Sequence, residues 1–362
     1  MFDTLDTPVL LINEDTVEDN LKRMASRALA HGVALRPHSK THKSPQLAWR
    51  QLQWGANGIM VAKLGEAEVM LDAGLREQTI GYPLIGQLKE DRLVSLMHKG
   101  LKPRFSVDSV EGITLLQRAA MRTATVVPAL IEVDTGMNRC GLGTIPQIIE
   151  LAQVLRQTPG VKFAGITCFG GHVAKTRDKD AIVTRIREEN GLLIQIVSEL
   201  RAAGLDPEII SEGGTVAAAF LEELQIATEI RPGTYIYNDA ATVASYAARW
   251  EDCALTVLTT VVSKPASNRI VVDAGSKTLS FDGPVGNGYG VVKGCPQWCL
   301  SRLSEEHGVL ESQDPLPFHI GDRLEIVPNH VCTTVNLHDR AFLVRASVIT
   351  GMLEVAARGL VQ

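Results

Sequence analysis

No stretch of the 362-residue sequence stays apolar for the length of a membrane span, so no transmembrane helix is expected. Positive charge is not in excess. The 36 Lys and Arg residues face 41 Asp and Glu, a net charge of −5, which gives no electrostatic reason to expect nucleic acid or an anionic membrane as partner. Cysteine is sparse, with six residues and no framework spacing, so reduced thiols in a cytoplasm are expected rather than a disulfide scaffold. The opening "MFDTLDTPVL" lacks the basic and apolar regions of a signal peptide. Internal repeats and low-complexity tracts are missing too. What is present is 45% apolar and 21% charged, enough for an ordinary core, and the length suits one large α/β domain with a smaller companion.

Short β-rich runs recur at Val33–Arg36, Gly58–Ala62, Gln78–Gly81, Arg104–Val107, Val126–Val133, Phe163–Cys168, Glu208–Ser211 and Thr228–Arg231. Between them lie stretches such as "GEAEVMLDAG" and "TRIREENGLLIQIVSELRAAG", where apolar residues return at three- and four-residue steps and Gly or Asn often closes the pattern. Eight strands alternating with helices predict a (β/α)8 barrel over residues 15–245. A doubly wound sheet is the alternative, because periodicity does not show closure. After about residue 250 the texture becomes Val-, Ile- and Thr-rich with turn residues between runs, as in "ALTVLTTVVSKPASNRIVVDAGSK". A mostly antiparallel β domain is expected over 246–362, joined by the strand-like segment 1–14.

Active-site groups of a barrel sit where strands end and loops begin. "RPHSKTHK", residues 36–43, packs five positive or chargeable side chains at the first such end, with Lys40 at its centre. A solvated charged face and a reactive lysine both fit that cluster. Other strand ends carry "EVDTGMNRCG", "CFGGH", "SEGGT" and "RPGTY". The last two are glycine turns at strands 7 and 8, where backbone N–H groups could form an anion nest, though a tight turn alone also explains them. A phosphate nest opposite a strand-end lysine suggests pyridoxal 5′-phosphate, its aldehyde joined to the lysine amine and its phosphate in the nest.

"RPHSKTHK", "DTGMNRCG", "SEGGT", "RPGTY" and the late "PNHVCTTVNLHD" together resemble the D-threonine aldolase and D-serine dehydratase family, pyridoxal-phosphate enzymes with an alanine-racemase-like fold. The resemblance runs from about Thr7 to Gly359, and "SEEHGVL" and "VNLHD" look closer to the aldolase-like branch. It implies that Lys40 is the Schiff-base lysine, with Arg36, His38, His42 and Lys43 disfavouring a further positive charge on it. Arg139 would stand near the cofactor's phenolic oxygen or the substrate carboxylate, where a structural salt bridge is the other reading. His172 would meet the pyridine ring, although a hydrogen-bonded core histidine reads equally. Ser211, Gly213, Gly214, Thr215, Gly233, Thr234 and Tyr235 would cradle the cofactor. One departure stands out: relatives often place a tyrosine near the "CFGGH" strand end to contact the ring nitrogen, and here Cys168 and Phe169 stand there.

In a strand, His330 and Cys332 would point to the same face and could share one divalent metal, Mn, Mg or Zn. The family motif around them implies such a site, its open positions taken by water or substrate. Cys295 and Cys299 have no usual ligand spacing and read as structural, and His307 has no assigned role. The implied substrate is a small D-β-hydroxy-amino acid, and the implied reaction is retro-aldol cleavage of D-threonine to glycine and acetaldehyde. Dehydration of D-serine or D-3-hydroxyaspartate to a 2-oxo acid and ammonia is the alternative lyase reaction. A pyridoxal-phosphate carrier without turnover is a third reading, set against over 100 residues of second domain. The resemblance also implies a head-to-tail homodimer.

Overall fold

The computed structural model describes every residue except Met1, Pro284 and Asn287 and the side chain of Ala174. The chain divides into two compact units, Ala25–Lys40, Pro45–Gly233 and Leu360–Gln362 in one, and Met1–Met24, Thr41–Ser44 and Thr234–Gly359 in the other. Strand β1 (Val9–Asn13) belongs to the second of these.

The first unit holds eight parallel strands: β2 (Ala34–Leu35), β3 (Ile59–Val61), β4 (Glu77–Ile80), β5 (Lys102–Val107), β6 (Val127–Val133), β7 (Val161–Cys168), β8 (Ile209–Glu212) and β9 (Glu229–Ile230). They pair in the order β2-β9-β8-β7-β6-β5-β4-β3. The two ends of that series meet. His38 forms a parallel bridge with Met60, the Met60 N–H donates to the Pro37 carbonyl at 2.8 Å, and the Asn57 N–H to the Leu35 carbonyl at 2.8 Å. The sheet is therefore a closed barrel, and the doubly wound alternative is excluded.

Alternation along each strand sorts the side chains. Outward-facing Val107, Ile131, Ile166 and Ile210 share a core with Leu116, Leu155, Leu193, Ile196 and Leu200 from the surrounding helices. In the helix Lys179–Ala202 the buried residues Ile182, Ile186, Glu189, Leu193, Ile196 and Leu200 follow three- and four-residue steps, and Asp178 caps its start by accepting the Ala181 N–H at 2.8 Å. Other strand positions carry charge. Glu229 accepts from Arg36 Nε at 2.8 Å, from Arg104 Nη2 at 2.5 Å and from the Ser211 hydroxyl at 2.6 Å. Burial would raise the Glu229 pKa, but the two guanidiniums outweigh it and hold the carboxyl below its ordinary value. The charge of Arg36 is thus committed to Glu229, and His42 and Lys43 fall in the other unit. Arg36 therefore stands paired with Glu229 rather than as a bare charge beside Lys40.

The second unit is built on β1, β10 (Leu255–Ala266), β11 (Arg269–Val272), β12 (Gly290–Val292), β13 (Leu300–Leu303), β14 (Gly308–Glu311), β15 (Arg323–Pro328), β16 (Arg340–Arg345) and β17 (Val348–Glu354). The order is β13-β14-β11-β10-β1-β16-β17, with β15 paired to β10 and β12. All pairs are antiparallel except β1 with β16, so Leu10 lies against Val257 on one side and Ala341 on the other.

The expected strand through His330 and Cys332 is not there. β15 stops at Pro328, and Val331–Val335 forms a short helix with His330 at its N-cap. The β-branched run "VCTTV" favours a strand locally, but tertiary contacts override it. Asp239 takes the Val331 N–H at 3.1 Å, and the His330 carbonyl accepts from the Thr334 N–H at 3.3 Å and the Thr334 hydroxyl at 3.0 Å.

Candidate active site

At the carboxyl ends of the barrel strands, one aromatic ring gathers residues from several loops. Phe169 follows β7. Lys40, in the turn after β2, places its Nζ 5.7 Å from the Phe169 ring centroid, and Arg139, in the loop after β6, places its Cζ 4.8 Å from it. Gly214, after β8, lies so close that a Cβ there would stand 3.5 Å from the same ring. The Lys40 turn is held from below by Ser39, buried, whose hydroxyl donates to the Met60 carbonyl at 3.0 Å. Arg139, half-exposed, also makes a 3.6 Å ion pair with the buried Glu132, a contact long enough for a bound anion to compete for the guanidinium.

Gly213 has φ +74°, a conformation that side chains with a Cβ rarely adopt, and with it the chain turns into the short helix Thr215–Ala218. His172 stands over the loop after β6, its ring 3.7 Å from where a Cβ on Gly136 would be, and its buried Nδ1 has no hydrogen-bond partner. An amine, a guanidinium, an orphaned imidazole nitrogen, a side-chain-free turn and a flat apolar ring make a donor set that fits a planar, anionic, phosphate-bearing aldehyde such as pyridoxal 5′-phosphate.

Beneath this layer lies a polar cluster that the sequence reading did not single out. Glu189 accepts the Thr135 hydroxyl at 2.6 Å and the Cys168 thiol at 3.8 Å. A Cβ on Gly170 would meet its carboxyl at 2.6 Å, so the glycine lets the "CFGGH" turn close upon it. Glu212 accepts from Asn190 at 3.2 Å, and its other oxygen, buried, has no partner. Burial raises the pKa of Glu189, takes that of Glu212 up to about 8, with Glu189 adding to it, and pushes the Cys168 thiol well up. These three side chains are spaced as metal ligands are. Each is nonetheless biased toward its protonated form, and the Arg231 charge acts on all three, so a cation there would compete with protons and with a guanidinium. Arg231 donates to the Cys168 carbonyl and, at 3.3 Å, to the Ser211 carbonyl, while its buried Nε has no partner. The Glu189 signal was available in the sequence, as a carboxyl on the apolar stripe of its helix. Arg231 was visible only as the first letter of "RPGTY".

Of the residues expected to hold a cofactor, Lys40, Arg139, His172, Gly213, Gly214 and Thr215 lie at these barrel ends. Ser211 turns its hydroxyl to Glu229 instead. Gly233 closes the barrel unit, whereas Thr234 and Tyr235 belong to the β unit.

In the β unit, the His330 Nδ1 lies 2.5 Å from Asp282 Oδ2, which also accepts the Thr333 hydroxyl at 3.1 Å. The Cys332 sulfur has the Thr41 hydroxyl at 3.1 Å and the Thr234 hydroxyl at 3.7 Å. His330 is hydrogen-bonded to Cys332, and with Nδ1 engaged by Asp282 that bond falls to Nε2. Burial alone would lower the His330 pKa, but the charge and hydrogen bond of Cys332, with Asp239 and Asp282 behind them, raise it to about 10. An imidazole nitrogen and a sulfur facing each other amid acceptors that favour positive charge fit a divalent metal taking the proton's place. The pairing survives the change from strand to helix because the turn brings the two side chains together. Cys295 and Cys299 are free thiols, and His307 is exposed in the β13–β14 hairpin.

The model of the family described as "Alanine racemase, N-terminal domain" matches residues 12–241, and that of the "Putative serine dehydratase domain" matches 254–344. A D-threonine aldolase of Arthrobacter sp is 33% identical over 98% of this chain and 93% of its own length. A D-threo-3-hydroxyaspartate dehydratase of Delftia sp. is 31% identical over 91% of this chain and 92% of its own. The crystal structure of D-threonine aldolase from Filomicrobium marinum superposes with a TM-score of 0.91 at 33% identity, covering 99% of this chain and 97% of that one.

Proposed function

Since the chain belongs to the family of the alanine racemase N-terminal domain, with D-threonine aldolase among its relatives, we propose that it is a lyase of D-β-hydroxy-amino acids that uses pyridoxal 5′-phosphate and a divalent metal. The finer reading is cleavage of D-threonine, or a β-substituted relative, to glycine and an aldehyde. The observation that carries the pyridoxal-phosphate reading is the meeting of Lys40 and Arg139 on one ring at the barrel's strand ends, and the likeness to D-threonine aldolases supports the finer one.

Bound pyridoxal 5′-phosphate supplies an electron sink for the pair released when a bond at the substrate's Cα breaks, and the metal supplies Lewis acidity toward a hydroxyl. The chain's own groups do the rest. Lys40 offers the primary amine that binds the aldehyde and afterwards carries protons at Nζ. Arg139 orients an anionic oxygen, exchanging its long contact with Glu132 for it. The N–H groups around Gly213, Gly214 and Thr215 receive the phosphate, and His172 flanks the ring with its unpartnered Nδ1. His330 and Cys332 hold the metal, and a thiolate donor favours Zn or a similar ion over Mg. A cytoplasmic homodimer completes the proposal. Six free thiols support the compartment, and light scattering tests the assembly.

Product analysis decides the reaction. Enzyme loaded with cofactor and metal is incubated with D-threonine, D-serine and D-3-hydroxyaspartate. Glycine and acetaldehyde from D-threonine are expected. A 2-oxo acid and ammonia as the dominant products would replace the aldolase with a dehydratase, and cofactor binding without any turnover would leave a carrier.

A further inference from the structure

The His330 ring has two nitrogens, and only one can face Cys332. Asp282 settles which. Its Oδ2 stands 2.5 Å from Nδ1 and is itself steadied by the Thr333 hydroxyl at 3.1 Å, one helical residue beyond Cys332. Thr333 also has Ser280 at 2.9 Å, so the loop carrying Asp282 is pinned to the short helix that carries the sulfur. A carboxylate accepting from Nδ1–H leaves Nε2 as the nitrogen whose proton a metal can displace, and it fixes the ring plane as well. On the other side the Thr41 hydroxyl at 3.1 Å from the Cys332 sulfur fixes the thiol's direction. Imidazole and sulfur are thus each held by a hydrogen-bonding partner of its own.

We infer that Asp282 is a positioning residue for the metal. It acts through His330, holding Nε2 toward Cys332, and so sets metal affinity without touching the ion. This rests on the proposal that His330 and Cys332 hold a divalent metal. It adds a residue some 50 positions upstream of that pair in the sequence, on a loop with no ligand motif of its own.

The test compares wild type, Asp282→Ala, Asp282→Asn and Cys332→Ala, each as full-length protein loaded with pyridoxal phosphate. Zinc affinity is read by competition with a chromogenic chelator, and the cobalt-substituted proteins are read by their sulfur-to-cobalt charge-transfer band. Asp282→Ala is expected to bind zinc about 10- to 100-fold more weakly while keeping the charge-transfer band once cobalt is saturating. Asp282→Asn, whose side-chain oxygen still accepts from Nδ1–H, should recover part of that loss. The visible absorbance of the lysine-bound cofactor should be the same in all four proteins. Unchanged zinc affinity in Asp282→Ala overturns the positioning role while leaving the metal pair intact. A cobalt spectrum that shows one ligand fewer in Asp282→Ala overturns it in another way, by making Asp282 a ligand. Wild type that binds no more zinc than Cys332→Ala overturns the metal reading itself, and the positioning role with it.

Discussion

At the barrel ends, Lys40, Arg139, Phe169 and Gly214 come from four separate loops, each delivered by its own strand. In the β unit, His330, Cys332 and Thr333 come from one short helical turn, and their partners reach in from Asp282, Thr41 and Thr234. The first arrangement is fixed by topology, so it depends on the barrel staying closed. The second is fixed by a local cap and a few hydrogen bonds, so single side chains should decide it. The two regions also treat charge differently. Glu189, Glu212 and Cys168 are pressed toward their neutral forms, whereas His330 is pressed toward its cationic form.

The largest expected effect separates the regions outright. Lys40→Ala should abolish both turnover and the visible absorbance of bound cofactor, because Lys40 is the lysine whose amine stands beside the Phe169 ring at the strand ends. Retained absorbance in Lys40→Ala, with bleaching in Lys43→Ala, would mean that the wrong amine has been assigned.

Dependence of the barrel on its interior charges comes next. Glu229→Gln leaves Arg36 and Arg104 without their shared carboxylate and should destabilise the protein by roughly 3–5 kcal/mol in denaturant titrations. Because the folded state holds the Glu229 pKa below its ordinary value, its stabilisation is present above that value and fades as pH falls through the folded one. Wild type should therefore lose its advantage over Glu229→Gln in acid. Equal denaturation curves at neutral pH would show that closure does not need this cluster.

His330→Ala and Cys332→Ala should lower turnover on the order of a hundredfold while sparing the cofactor absorbance. Chelator should reproduce the loss in wild type, and added metal should reverse it. A drop in melting temperature with chelator-insensitive turnover would instead assign the pair to packing.

The smallest effect is one of pH alone. Glu212 has a pKa raised from 4.5 to about 8, so its protonated form stabilises the fold and that contribution is lost as pH climbs through this window. Glu212→Gln cannot ionise, so it should match wild type near about pH 5 and exceed it by a few kcal/mol at most near about pH 9. Its metal content should be unchanged. Loss of a bound metal ion in Glu212→Gln would give the barrel cluster the role here assigned to His330 and Cys332.

Legibility follows the same division. The eight barrel strands read clearly because strand–helix alternation is a local pattern, and each was placed within a few residues. Lys40, Arg139 and the "SEGGT" turn were legible as strand-end residues, whereas their roles were implied only by the family resemblance. The strand expected at His330 was a misreading of β-branched residues whose helical turn is imposed by Asp239 and by Thr334 bonding back to the His330 carbonyl. Arg36 looked like part of a charged cluster because its partner, Glu229, lies 193 residues away. Cooperation between distant residues left no local trace, and Asp282 went unnoticed for the same reason.

Glu189 carries a consequence for motion. One buried carboxyl receives Thr135 from the loop after β6 and Cys168 from the end of β7, and the Gly170 turn wraps it. The segments bearing Arg139 and His172 are thereby moored to a single post. In native-state hydrogen exchange the amides of the two loops should open together, with one shared opening free energy, as a cooperative unit rather than as two independent flaps. Cutting the mooring with Glu189→Ala should split that unit in two before it unfolds the barrel.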